Sequence, residues 1–91
     1  MITSIELTNL GTVNKNEVIL KSKDKGDEKD ITLTFSYQTI VQVASPKGIF
    51  TCQNDWSTTT GKLLNDLEPD HNKRIPHDKL MEKVDEALKG I

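Results

Sequence analysis

The spacing of the apolar residues changes partway along the chain, and this change limits the fold more than any other feature. Up to about residue 53, apolar residues alternate with polar ones or form short β-branched runs; from residue 60 they recur every third or fourth position. A period of two is typical of strands and a period near 3.6 of helices. We therefore predict a single α+β domain over residues 1–91, with a sheet at about 1–53 and helices at about 56–68 and 76–89.

The segment from Asp30 to Tyr37 has the clearest strand pattern. Apolar and hydroxyl side chains alternate in it, with Ile31, Leu33, Phe35 and Tyr37 on one face and Thr32, Thr34 and Ser36 on the other. This alternation predicts a half-buried strand. Weaker patterns predict an edge strand within Met1–Asn16 and strands at Glu17–Ser22, Thr39–Ala44 and Ile49–Cys52, while Lys23–Lys29 reads as a solvated hairpin loop. Together they predict a small antiparallel sheet of three to four strands in a meander.

Two helices are predicted after the sheet, packed on one of its faces. The apolar stripe of the first comprises Thr60, Leu63, Leu64 and Leu67, and that of the second comprises Leu80, Met81, Val84, Ala87 and Leu88. Asp55 or Ser57 would cap the first helix, and Pro76 would open the second. Gly61 within the first helix costs about 1 kcal/mol relative to Ala. We therefore expect another group to pack closely against it.

Composition excludes several classes of protein. A net charge of −2 argues against a broad nucleic-acid-binding face, which requires clustered basic residues. The single cysteine, Cys52, excludes an internal disulfide framework and suits a reducing compartment. Apolar runs are too short to span a bilayer, and the N-terminus lacks the pattern of a secretory signal. We expect a cytoplasmic protein that makes no membrane contact.

The stretch from Asn54 to Asn65 concentrates the chemically informative residues. It contains the only tryptophan, Trp56, followed by Ser57 and three threonines that include Thr59 and Thr60. Hydroxyl groups and Lys62 beside a helix start suggest an anion site. A phosphate loop, however, requires glycine at position 56 and Ser or Thr at position 63. The favoured interpretation is that the hydroxyl groups satisfy backbone N–H groups of the first turn while Trp56 packs on the sheet.

No residue set predicts catalysis or metal binding. Cys52, His71 and His77 are the candidates for a nucleophile–base pair or a zinc site, but their spacing matches no ligand motif. We expect a non-enzymatic protein without cofactor or metal.

Three segments together resemble a known family. F-S-Y-Q-T-I-V at 35–41, N-x-W-S-x-T-T-G-K-x-L-N at 54–65 and R-I-P-H at 74–77 are similar to small uncharacterised proteins found largely in bacteriophages and other mobile elements. The resemblance covers about Phe35–Leu88 and leaves the first third of the chain outside. The family often has His after the helix lysine, where this sequence has Leu63. The resemblance implies a phage or mobile-element origin and residence in the host cytoplasm.

Small acidic phage proteins frequently act by occupying the surface of a host protein, including CRISPR effectors and other defence proteins. The first hypothesis is therefore an interaction module, monomeric or homodimeric, that binds and inhibits an unidentified host protein. Its contact surface would be the hydroxyl face of the sheet or an exposed edge strand. The alternative is a nucleic-acid-binding accessory protein. The candidate interaction residues are Tyr37 and Trp56 for base stacking, Lys62, Lys73 and Arg74 for phosphate contacts, and Ser57, Thr59 and Thr60 of the central motif.

Overall fold

A computed structural model of the chain describes residues 2–11, 14–24, 26–54 and 58–89. Within these residues, the strands are β1 (Ile2–Asn9), β2 (Lys15–Asp24), β3 (Asp27–Glu28), β4 (Ile31–Ser36), β5 (Thr39–Ser45) and β6 (Gly48–Thr51). The helices α1 (Thr58–Leu67) and α2 (His77–Lys89) follow, separated by a 3₁₀ turn at His71–Lys73. The sheet is antiparallel in the order β1-β2-β4-β5-β6, and β3 pairs with β2. The α+β class and the two C-terminal helices are confirmed.

The predicted strand count of three to four was wrong, because the N-terminal third contributes more strand than its weak pattern indicated. β1 is a full strand of eight residues, and β2 extends beyond the predicted range at both ends. The charged segment predicted as a loop folds back on itself around Gly26, whose φ is 88°. In that hairpin Lys23 lies opposite Glu28. An opposite-charge pair of this kind favours strand pairing.

The buried core begins only at β4. Its members are Ile31, Leu33, Val41, Val43, Cys52, Leu63, Leu64, Leu80, Val84 and Ala87. Of the described residues before β4, Leu20 is partly buried against this cluster. Strands β1 to β3 therefore extend beyond the part of the sheet that the core covers, in a molecule measuring 42 × 27 × 18 Å.

Three contacts attach the two helices and the segment between them to the sheet. The hydroxyl groups of Ser36 and Thr60 are 2.8 Å apart and join β4 to α1. His77 donates from Nε2 to the carbonyl oxygen of Ile40, at 3.0 Å, and so joins α2 to β5. Ile75 forms a one-residue bridge beside Cys52, next to the end of β6. The bridge occupies part of the outer edge of β6, whereas β1 at the opposite end of the sheet has an open edge.

The hydroxyl face predicted for β4 is not open to a partner. Thr34 pairs with Gln42 and Phe35 with Ile40, so Val41 is an extra residue that makes a bulge in β5. Both Thr34 and Ser36 are buried, and Thr32 is half-buried. Tyr37, predicted as the last residue of the strand, lies instead in the turn between β4 and β5. The hydroxyl face is therefore part of the packed structure.

Truncating one leucine in the core and one on β1 tests whether the buried core begins only at β4. Leu80→Ala removes a fully buried side chain and is expected to lower the free energy of unfolding by about 2–5 kcal/mol. Leu7→Ala, on an exposed position, is expected to change it by less than about 0.5 kcal/mol. Urea denaturation followed by circular dichroism measures both. Equal losses would contradict a core that begins at β4.

Candidate functional site

Strand β1 is exposed along its whole length. Its apolar side chains face solvent, with Ile5 63% and Leu7 74% exposed. Ile2 and, just beyond the strand, Leu10 are also exposed. Scattered exposed apolar residues are ordinary, but several in one strand indicate a contact surface. We call this strand with its open backbone the β1 edge.

The hydrogen-bond pattern shows which backbone groups of the β1 edge point outward. The N–H of Leu10 donates to the carbonyl of Lys15 at 2.8 Å. In an antiparallel pair, alternate residues direct both of their backbone groups toward the partner strand. The residues between them, Ile5 and Leu7, therefore direct their N–H and C=O groups away from β2. These groups are positioned to pair with an added strand.

The register places the exposed apolar residues on the same sheet face as core residues. Leu7 lies opposite Val18, which in turn lies opposite Leu33 of the core. A second row of paired residues runs from Ile5 through Leu20 to the core residue Ile31. Since directly paired residues share a face, the apolar surface continues from the core to the open edge.

Little on β1 opposes strand addition. Natural edge strands are commonly protected by proline, by lysine or by central bulges. β1 contains neither proline nor lysine, and its one irregularity in the pairing lies near its start, between Ile2 and Ser4. Its one charged residue, Glu6, has its carboxylate 3.4 Å from Nζ of Lys21. Both side chains are substantially exposed, so this ion pair stabilises the fold only slightly.

A second candidate site brings together two segments that the sequence identified separately. Residues of the central motif and of the basic segment after it line an open cleft of about 430 Å³. The cleft is lined by Gln53, Asn54, Gly61, Asn65, His71 and Arg74. We call it the Arg74 cleft.

Arg74 differs most from its sequence-based prediction. The sequence made Arg74 a candidate for phosphate contacts in a basic linker, but Arg74 is only 7% exposed. Its Nε donates to the carbonyl of Glu68 at 3.0 Å, and its Nη2 donates to Oδ1 of Asn65 at 2.8 Å. The neighbouring Lys73 is exposed. The cation therefore links the end of α1 to the segment that precedes α2.

The expectation of close packing at Gly61 is confirmed. A Cβ atom built at this position would lie 2.8 Å from Nδ2 of Asn54, which is closer than van der Waals contact allows. The side chain of Asn54 therefore occupies the space that any larger residue would need. Because Nδ2 is the end of the flexible side chain of an exposed residue, a larger residue at position 61 requires Asn54 to move.

The remaining predicted residues are dispersed. Tyr37 is exposed at its turn, and its φ of 56° is unusual for a residue other than glycine. Thr60 is buried against Ser36, and Lys62 is exposed on α1. Trp56, Ser57 and the proposed cap Asp55 lie outside the described residues. Thr59 lies in α1, but its side chain is outside the described part.

The sulfur and imidazole groups do not form a site in the described part of the chain. Cys52 is fully buried in the core, whereas His71 lines the Arg74 cleft. Across the described residues, no group of three or more His, Cys, Asp or Glu side chains is arranged to hold a metal ion. No helix in the described ranges is both long enough and apolar enough to cross a membrane.

Sequence reasoning missed Gln53, Asn65 and His71 as cleft residues. The proximity of these three residues becomes visible only in a fold that brings α1 beside residues 71–74. The high polar content of both segments was the sequence signal that could have indicated a shared cleft. Sequence reasoning named an exposed edge strand as a candidate contact surface and predicted an edge strand within Met1–Asn16, but it did not single out Ile5 and Leu7.

The chain belongs to a family of unknown function, DUF8033, which matches residues 5–83. The match begins within β1 and ends within α2, so it includes residues 5–9 of the β1 edge and the whole Arg74 cleft. No curated protein and no solved structure matches the chain. The phage or mobile-element origin implied by the sequence resemblance stays a prediction.

The conformation of Tyr37 can be tested with two substitutions that both remove its ring. Tyr37→Gly is expected to unfold with a free energy about 1 kcal/mol higher than Tyr37→Ala, because only alanine keeps a Cβ that is strained at positive φ. Urea denaturation of the two variants measures the difference. An alanine variant that is equally stable would show that the turn relaxes out of this conformation.

The contact between Gly61 and Asn54 can be tested by a double-mutant cycle. In an Asn54→Ala background, Gly61→Ala is expected to raise the free energy of unfolding by about 1 kcal/mol, the gain in helix propensity. In the natural sequence the gain should be smaller or become a loss, because Asn54 must move. The interaction energy from four urea denaturation curves measures this coupling. An equal gain in both backgrounds would show that Asn54 does not restrict the position.

Proposed function

We propose that this DUF8033 protein is a non-enzymatic interaction module that binds an extended segment of another protein along the β1 edge. The observation that carries the proposal is the combination, in one strand, of outward-facing backbone groups and exposed apolar side chains. Strand addition uses both features: backbone hydrogen bonds supply affinity, and alternate side chains supply specificity.

The surface defines the chemistry of the partner segment. On the face shared with the core, Ile5 and Leu7 favour apolar residues at every second position of the partner segment. On the other face, Ser4, Glu6 and Thr8 call for polar residues, and the exposed carboxylate of Glu6 favours a lysine or arginine close to it. The partner segment is therefore an alternating, amphipathic strand.

The sequence resemblance guides the choice of partner. Similarity to phage and mobile-element proteins supports a host protein, with CRISPR effectors and other defence proteins as the first to examine. Occupation of an exposed strand or an unpaired sheet edge would then inhibit that host protein. The alternative of nucleic-acid binding draws less support, because the chain has a net charge of −2, whereas a nucleic-acid-binding face requires clustered basic residues.

Substitutions at Leu7 separate the backbone contribution from the side-chain contribution. Leu7→Pro removes an N–H that faces away from β2, so the β1–β2 pairing should survive. We expect this variant to bind a captured partner at least about tenfold more weakly, because one or two backbone hydrogen bonds and the close approach of the strand are lost. Leu7→Ala keeps the N–H and should weaken binding less. Partners captured from host lysate are purified, and their Kd values are measured by calorimetry.

Ile49→Ala is the matched control, since Ile49 is equally exposed but lies on β6. A partner whose Kd is unchanged by Leu7→Pro would contradict binding at the β1 edge. A natural chain that dimerises, and becomes monomeric with Leu7→Pro in light-scattering measurements, would show instead that a second copy occupies the edge.

A further inference from the structure

Arg74 is a buried cation that lacks an opposite charge in its described surroundings. Its two hydrogen bonds run to a backbone carbonyl and to a neutral amide. The described side chains that line the cleft include no carboxylate. Burial of a charge is costly unless the charge is paired. No side-chain N or O atom of the described residues is both buried and without a hydrogen-bond partner, so the remaining N–H groups of Arg74 open onto the cleft, where an external anion can approach them.

The geometry of the guanidinium leaves one edge available. A guanidinium has five N–H donors in a plane. The edge formed by Nε and Nη2 is engaged by Glu68 and Asn65. The other edge is formed by Nη1 and Nη2, and its Nη1 makes no hydrogen bond to the described residues. This is the fork that binds carboxylate or phosphate oxygens in a bidentate manner.

The cleft around this fork is suited to a small polar ligand. Its volume of about 430 Å³ falls in the usual range of small-molecule sites, roughly 300–1,000 Å³. The side-chain amide of Gln53 and the imidazole of His71 also line it. These groups supply hydrogen-bond donors without adding negative charge.

We propose that the Arg74 cleft binds an oxyanion, either the phosphate or the carboxylate group of a small polar molecule. The outer edge of Arg74 holds two of its oxygens, and Gln53 and His71 contact the remainder. This binding site lies apart from the β1 edge, with which it shares no residue, and it does not depend on the interaction proposed there.

Nuclear magnetic resonance of the ¹⁵N-labelled chain tests the proposal. Inorganic phosphate and acetate are titrated separately at constant ionic strength. Saturable shifts of the Arg74 Nε–H and of the Gln53 side-chain amide are expected with at least one of the two anions, and the tighter one identifies the ligand group.

Asn65→Asp is the decisive variant, because it preserves the oxygen that accepts from Arg74 but supplies an internal negative charge. We expect it to weaken binding of the preferred anion at least tenfold. Asn72→Asp is the matched control, since it adds the same charge on an exposed residue that does not line the cleft. It should change the affinity less than threefold.

Three results would overturn the proposal. The first is the absence of a saturable shift with either anion. The second is a set of chemical-shift changes confined to exposed lysines, which would indicate only non-specific accumulation of anions at the protein surface. The third is equal weakening by Asn65→Asp and Asn72→Asp, because the internal charge at the fork would then have no specific effect.

Discussion

The fold depends on how much sheet its small core can cover. A chain of this length buries a modest fraction of its surface, and here every fully buried apolar side chain of the described part lies at or after Ile31. The helices supply half of that set, and α2 packs on β5 and β6. No described residue set comparable to the helices covers β1, which is exposed along its length. That strand is held by its backbone pairing with β2 and by surface contacts such as the Glu6–Lys21 ion pair. The open edge follows directly from the size of the core.

The segment from Arg74 to His77 joins all the elements of the C-terminal half. Arg74 contacts the end of α1, Ile75 pairs beside β6, and His77 anchors the start of α2 to β5. A neutral residue at position 74 would avoid the cost of burying a charge. Sequences commonly break such local rules at functional positions. The guanidinium also donates to groups at the C-terminal end of α1, where the helix dipole favours a cation, and these contacts offset part of that cost.

The sequence predicted the features that depend on local periodicity. The α+β class, both helices and the buried positions Leu63, Leu64, Leu80 and Val84 follow from repeat spacing, and Gly61 indicated a close contact that Asn54 makes. Features that depend on distant pairing were not predictable in this way. The bulge at Val41 arises from the register of β5 against β4. The burial of Arg74 requires Asn65, nine residues away, to lie beside it. Such contacts leave no periodic signal in one sequence.

The two candidate sites lie on parts of the molecule with different energetics. A ligand that binds only the folded state stabilises the structure it contacts. A strand added to β1 would stabilise the hairpin that the core does not cover, and it would do so without rearranging a packed side chain. An oxyanion at Arg74 would neutralise a charge at the junction of α1, β6 and α2, and so would stabilise the core itself. The small core thus accounts for the exposed edge, whereas the burial of the cation depends on the contacts of Arg74 with the end of α1.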